Sequence, residues 1–504
     1  MNKLLEEMKS VTNKTYTQNG AITYKSTLSK VYDLFAQGAS MRGASNENCI
    51  RLFAQAYAED PTMALKCLFY LRDIRGGQGE RRFFRLCIQW LAMYHKAEME
   101  HLIALIAEYG RYDDLFVLFG SPLEDEMMGY IKYVIDKNED HLVYKWMPSI
   151  NTSSKSTQER GRKFAQAFGM TEREYRKMLS EGRKACHLVE TLMSQNKWDQ
   201  IAFDKLPSRA GILYSKAFAR REETKERYTA FMSSDKTKVN ASTLYPYDVV
   251  KKAREVMNRD YWHRADVALN DTDRLAANKY WDNLTDYFNG ATLNALCVCD
   301  TSGSMTGGYG TTIAPIDVAI ALSLYTAERA KGPFHNHFIS FSSRPALIET
   351  TGVDFCEKVD NIYRQNLCEN TNIEATFDLI LNTAIRKGLE QEDLPETLII
   401  VSDMQFDSAR GYYSWGREDD TSTLMENIER KWKMKGYDMP KLIFWNVNAA
   451  TGAGNIPMKD KDGVTFVSGA SPSIFTQILT GKTGQDLMRE ALLSERYNAI
   501  YSVC

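Results

Sequence analysis

No apolar run in this chain approaches the ~20 residues that a membrane-spanning helix requires. The first residues, with Glu6, Glu7 and Lys9, lack the hydrophobic region of a signal peptide. The expectation is a cytoplasmic protein with no membrane association. The nine cysteines are scattered and none stands in a C-x-x-C pair, which excludes a zinc ribbon and a paired redox centre. The seven histidines show no metal-ligand spacing. Gly481, Lys482 and Thr483 have the end of a phosphate-binding P-loop but not its start, because Thr476 occupies the place of the first glycine. No Ser-His-Asp arrangement can be argued. The stretch after Asp300 lacks the second aspartate that aspartyl-phosphate phosphatases use as acid and base. The expectation is a protein without catalytic activity of its own.

Strong net charge is also missing, since the balance is −2, but the two parts of the chain differ in sign. Residues 1–290 hold 44 Lys+Arg against 38 Asp+Glu, and residues 291–504 hold 19 against 27. Residues 151–238 alone hold 19 basic against 11 acidic side chains. A basic part joined to an acidic one points to a polyanionic partner for the first, or simply to a solvated basic surface. A length of 504 residues exceeds one ordinary core, and 44% hydrophobic with 25% charged residues describes a globular chain of two or three domains.

Periodicity divides the chain. Residues 1–25 are polar and read as an arm or an edge strand. Residues 26–290 repeat an amphipathic helical pattern, at 63–74, 82–94, 99–109, 127–136, 160–168, 185–195, 208–218 and 272–288. Turn signals at Gly76, Gly77 and Gly79, at Gly110, at Pro122 and at Pro207 separate the helices. Paired helices of this length predict a HEAT-like repeat array, either open or closed into a ring. Residues 291–504 alternate strand and helix, which predicts a doubly wound, mostly parallel sheet. Strands are expected at 293–299, 337–341, 346–348, 397–402, 441–447 and 464–467. Helices are expected at 316–330, 374–385, 423–435, 474–479 and 485–493.

The run from Leu293 to Cys299 reads as a strand buried on both faces, and it ends in Asp300, Ser302 and Ser304. Three hard oxygens at the carboxyl end of such a strand suit Mg²⁺ or a similar divalent ion. This Asp-x-Ser-x-Ser pattern resembles the metal-ion-dependent adhesion site of von Willebrand factor A (vWA) domains. Thr371, ahead of a helical run, matches the second-loop threonine of that family. Asp403, at the end of the strand 397–402, matches the third-loop aspartate. The resemblance implies a site for Mg²⁺, or another divalent cation such as Mn²⁺, formed by Asp300, Ser302, Ser304, Thr371 and Asp403. It also implies an open position for an acidic partner residue, with Asp407 as a further acidic neighbour. Asn370 and Met404 stand where the family often has glycine.

A helical array followed by a vWA domain resembles the TROVE family of Ro autoantigen-like RNA-binding proteins and its phage and bacterial relatives of unassigned function. Residues 71–81 and 110–115, with 145–149 and 198–208, carry the likeness. The resemblance implies RNA as partner. The basic residues that would touch it are Arg72, Arg75 and Arg81 around the three-glycine turn, and Arg160, Arg162, Lys163, Arg176 and Arg183 further on, with Phe164 and Tyr175 available for base stacking. The bland counterparts are a tight helix–helix turn whose arginines pair with Asp73 and Glu80, and a solvated helix face. The alternative functions are an interaction scaffold or adaptor, or a structural assembly component such as a part of a phage particle.

Overall fold

Caps set many helix boundaries in the first half of the chain. Asp60 accepts from the Met63 amide (2.9 Å) ahead of Pro61, and Ser45 accepts from Asn48 (3.2 Å). Thr171 and Glu174 form a reciprocal capping box. Each answers first-turn amides that have no intrahelical partner. The computed structural model describes residues 8–9, 12–186, 188–257, 259–260, 263–264, 271–307, 313–341, 344–365, 372–407, 423–449, 455–478 and 482–503.

After a hairpin of β1 (Lys14–Tyr16) and β2 (Ile22–Tyr24), the chain is helical. The helices are α1 (Lys30–Gln37), α2 (Asn46–Glu59), α3 (Pro61–Arg72), α4 (Arg81–Tyr94), α5 (Lys96–Tyr109), α6 (Glu124–Lys137), α7 (Leu142–Trp146), α8 (Lys155–Ala167), α9 (Glu172–Ala185), α10 (Val189–Ser194), α11 (Ser208–Arg220), α12 (Glu222–Ser233), α13 (Pro246–Val256) and α14 (Asp271–Asp282). A short pair, β3 (Arg259–Asp260) and β4 (His263–Arg264), precedes α14. Neighbours in sequence pack on one another: α2 on α1 and α3, α4 on α5, α8 on α6 and α9, α11 on α12, and α13 on α14.

The second half is β5 (Ala295–Asp300), α15 (Pro315–Arg329), β6 (His337–Phe341), β7 (Ala346–Glu349), α16 (Phe355–Arg364), α17 (Ile373–Lys387), β8 (Thr397–Ser402), α18 (Leu424–Met434), β9 (Lys441–Asn446), β10 (Val464–Ser468), α19 (Phe475–Ile478) and α20 (Gly484–Leu492). Its six strands form one sheet in the order β10-β9-β8-β5-β6-β7, parallel except for the β6–β7 edge pair. The apolar runs read from the sequence are the buried strands: every residue of β5 and β10 is buried, and all but the first of β8 and β9. A helical array joined to a doubly wound sheet is the architecture that the periodicity predicts. β5 is one residue longer than expected at its carboxyl end, so Asp300 is its last residue.

Both ends of the array rest on the sheet half. At the late end, α13 and α14 pack on α15 and α16. Arg274 binds Asp354 (2.7 Å), Trp281 stacks on Phe355 with centroids 4.2 Å apart, and its indole N–H donates to Glu328 (2.6 Å). At the early end, α1 lies on β10: the Phe466 amide donates to the Tyr32 hydroxyl (3.0 Å), and Ser468 donates to the Phe35 carbonyl (3.1 Å). The two ends also meet each other, with the Arg42 guanidinium 5.9 Å from the Tyr247 ring centroid. The array is thus closed on itself through the sheet half.

The three-glycine turn lies at that closure. Asp73, fully buried, accepts from the guanidinium of Arg496, from the Tyr497 hydroxyl (3.1 Å) and from the Arg75 amide (3.0 Å). A Cβ on Gly77 would stand 1.9 Å from the Tyr70 carbonyl oxygen, and one on Gly79, at φ +64°, would stand 2.2 Å from the Tyr245 hydroxyl. The glycines allow close approach of three segments rather than cradling a phosphate. Asp73→Ala removes these bonds at once and strands the Arg496 cation. It should lower unfolding stability by about 2–4 kcal/mol, read as a shift of the urea midpoint. An unchanged midpoint would remove this junction from the account of closure.

Candidate metal centre and basic face

The sheet order reverses around β5, whose neighbours are β6 on one side and β8 on the other. Ligand sites of open α/β sheets lie outside the carboxyl ends of the strands at such a point. Asp300 ends β5 there, fully buried, and beside it Ser402 ends β8 and Asp403 follows. The Ser302 amide donates to one Asp300 oxygen (2.9 Å) and the Ser402 hydroxyl to the other (2.6 Å). Ser402 in turn accepts from the Met404 amide (3.0 Å). Ser302 precedes a 3₁₀ turn, Gly303–Thr306, that holds Ser304 and buried Met305, and the two serine hydroxyls stand 3.1 Å apart. Asp403, also buried, accepts from the Gln405 amide (3.1 Å).

The structure therefore brings together Asp300, Ser302, Ser304 and Asp403. Thr371 and Asn370 lie outside the described residues. Asp407 bridges to Gly20 of the N-terminal hairpin. Met404 adopts φ +61°, a left-handed conformation that glycine takes without strain. Burial pushes both carboxyls above the ordinary carboxylate range; Asp403 adds to the shift of Asp300, and hydrogen bonds from Ser302 and Ser402 oppose it. Among the described residues no lysine or arginine pairs with either acid. Two buried acids without a counter-charge, beside two hydroxyls, are a donor set that fits a hard dication.

Sequence reasoning missed two supports of this site. Ser402, which orients Asp300, looks like an ordinary strand-end serine. The N-terminal hairpin, read as an arm or edge strand, holds the third loop. Thr17 donates to the Phe406 carbonyl (2.7 Å), the Gln18 amide to the Gln405 side chain (2.8 Å), and Asn19 to the Gln405 carbonyl (2.7 Å). The Asn19–Gly20 pair, with Gly20 at φ +87°, was the available hairpin signal.

The basic residues sort into several environments. Arg72 forms a buried ion pair with Asp114 (2.7 Å) and is no phosphate donor, which corrects the expectation for it. Arg183 donates to the Tyr144 and Met147 carbonyls and the Ser149 hydroxyl (2.9, 2.7 and 2.9 Å), so it braces α9 against the 144–149 segment. Arg75 and Arg81 are exposed beside the turn. Arg162 and Lys163 are exposed but pair with Glu172 and Glu124. Arg160 lies over the Phe119 ring, 5.3 Å from its centroid, and Arg176 is exposed with its Nε on the Glu172 carbonyl (3.2 Å). The stacking expectation is overturned. Phe164 is fully buried against Phe116, Phe119 and Phe168, and Tyr175 is fully buried with its hydroxyl on the Pro148 carbonyl (2.9 Å).

Residues 294–498 match a family model described as a domain of unknown function, DUF7788, and residues 17–111 and 139–291 match another, DUF2828. The chain is 28% identical over 524 residues to the uncharacterized protein L728 of Acanthamoeba polyphaga mimivirus, covering 93% of this chain and 85% of that one. Among solved structures it is similar to the RO (RSR) protein of Deinococcus radiodurans, at a TM-score of 0.49 and 12% identity, covering 93% of this chain and all of that one. No described helix is long and apolar enough to cross a membrane.

Two outcomes follow from this geometry. Phe164→Ala should act on stability, by about 3–5 kcal/mol, in thermal or urea unfolding, since its ring has no free face to offer. In metal-free protein, Asp300 and Asp403 hold protons more tightly folded than unfolded, so their contribution to stability falls as pH rises from the ordinary carboxylate range through their raised values. Melting in chelator from about pH 5 to about pH 8 should show a decline that Asp403→Asn reduces.

Proposed function

We propose that this is a non-catalytic, Ro-like RNA-binding protein whose vWA-like module holds Mg²⁺ and docks an acidic partner. The observation that carries the RNA part is the surface of α8 and α9. Residues 155–184 hold nine basic against four acidic side chains, most of them exposed. A strand of phosphates is the polyanion that such a face attracts. Contact would run through Arg160, Arg162, Lys163 and Arg176, with Arg75 and Arg81 nearer the closure.

In the metal part, Ser302, Ser304 and Thr371 would hold the ion through their hydroxyls, with Asp300 and Asp403 acting directly or through water. The bound ion supplies an electrophilic open position for a carboxylate oxygen. The chain's own residues hold that position ready. Ser402 fixes Asp300 from below, and the N-terminal hairpin fixes the loop that carries Asp403. What supports this part is the pair of buried acids that no basic side chain among the described residues answers.

A second reading, a scaffold or adaptor without RNA, is favoured by the carboxylates that already neutralise Arg72, Arg162 and Lys163. Purified protein separates the two. The RNA reading expects a raised 260/280 absorbance ratio that RNase removes, and the scaffold reading expects none. Bound RNA should weaken with salt at a log–log slope of roughly −0.7 per phosphate contact. Mg²⁺ titration by calorimetry should show one site, lost in Asp300→Ala while far-UV CD keeps its helical signal. Unchanged affinity in that variant would end the metal assignment.

A further inference from the structure

Most arginines that leave the surface of this protein find a carboxylate: Arg72 with Asp114, Arg42 with Glu80, Arg254 with Asp317. Arg183 does not. It is half-buried at the end of α9, and its bonds run to two carbonyls and one hydroxyl, all neutral. No carboxylate among the described residues pairs with it. Burial lowers its proton affinity, so its charge is held at a cost. Three of the five N–H groups of the guanidinium are engaged, which fixes its plane and leaves donors over.

Arg183 lines a cavity of about 300 Å³ between α9, α10 and residues 149–151. Arg176 and Lys184 line it too, and neither pairs with a carboxylate among the described residues. Ser149, Ser180 and Thr191 add hydroxyls, and no lining residue is acidic. Of the other exposed cations of α8 and α9, Arg162, Lys163 and Lys177 each have a glutamate within ion-pair distance, while Lys155, Arg160 and Arg173 stand apart from the cavity. The cavity thus brings three cations without a carboxylate partner among the described residues onto one concave surface. A volume at the low end for ligand sites suits a small group rather than a whole folded element. Planar guanidinium donors with hydroxyls match the oxygens of a phosphate.

We infer that this cavity binds a phosphate group, presented by an RNA strand or by a free nucleotide. The RNA source rests on the proposed function; the cavity's chemistry does not. The test uses the full chain at low salt with two probes. Adenosine monophosphate is titrated by calorimetry, and a short 3′-labelled single-stranded RNA by fluorescence anisotropy. Each is measured on wild type, on Arg176→Ala/Lys184→Ala, and on Ser180→Asp, which sets a carboxylate among the cations and leaves the bonds of Arg183 in place. Far-UV CD checks folding.

Both variants should weaken binding by about tenfold or more. For RNA, the double variant should also shallow the salt slope by about 1.4, at ~0.7 per lost contact. Loss with RNA alone assigns the phosphate to a strand; loss with the monophosphate as well shows that a free nucleotide suffices. If wild type binds RNA and both variants bind it equally well, with the monophosphate unaffected, the cavity inference fails and the RNA reading stands. If the monophosphate binds and is lost in the variants while RNA never binds, the cavity stands and the RNA reading fails. If wild type binds neither probe, both fail.

Discussion

The carboxylate of Asp73 joins parts of the chain that lie more than four hundred residues apart in sequence. It ends α3, near the start of the array, and receives Arg496 and Tyr497 from beyond the last helix of the sheet half. Around it, Ser473 donates to the Gly77 carbonyl (3.3 Å), Glu80 pairs with Arg42, and Tyr245 from the late end of the array crowds Gly79. A buried acid with several charged or polar donors is stable only when all of them are present. The start of the array, its end and the sheet half must therefore be in place together. This explains why the turn carries glycines at Gly77 and Gly79: a side chain at either would collide with the Tyr70 carbonyl or the Tyr245 hydroxyl.

The same closure bears on the metal-site loops. The hairpin that grips Gln405 and Phe406 runs directly into α1, and α1 lies on β10. The Tyr24 and Ile456 backbones exchange hydrogen bonds (2.9 and 3.0 Å), and Ala449 beyond β9 donates to the Ser40 carbonyl (2.9 Å). The loops at the carboxyl ends of β8 and β9 are thus held partly by the first forty residues. Met404 at φ +61° is a non-glycine residue in a conformation that costs free energy. Its nearly complete burial and the hydrogen bonds on either side of it are what hold it there.

Patterns that depend on neighbours in sequence were legible. The apolar runs at 397–402 and 337–341 are β8 and β6 to the residue, and the spacing of Asp300, Ser302 and Ser304 follows from the strand ending where it does. Helices with a narrow apolar stripe were not. In α9 only Tyr175 and Leu179 are buried, so periodicity is faint and the Thr171–Glu174 box was the better signal. The inward face of α8 was readable, because Gly161, Phe164, Ala165 and Phe168 recur at helical spacing. Reading Phe164 as a stacking platform gave its chemistry more weight than its period. Asp73–Arg496 and Ser402–Asp300 had no local signal, since each joins distant segments.

Charge counting identified a basic region, but it weighs every cation alike, and the structure does not. Breaking the buried Arg72–Asp114 pair to free a guanidinium for phosphate would take both Arg72 bonds from a fully buried carboxylate and leave it to Arg85 (2.6 Å), at a cost of about 1.5–3 kcal/mol for each bond lost. No single phosphate contact offsets that. The pair of Arg162 and Glu172 is half-exposed on both sides, and such surface pairs contribute about 0–1 kcal/mol. Exchanging that glutamate for a phosphate is nearly neutral, so Arg162 remains available to a polyanion despite its partner. Among cations that have a partner, the distinction that matters is therefore whether that partner is buried or in water. By that measure Arg72 belongs to the fold, and the exposed residues of α8 and α9 to the surface that meets other molecules.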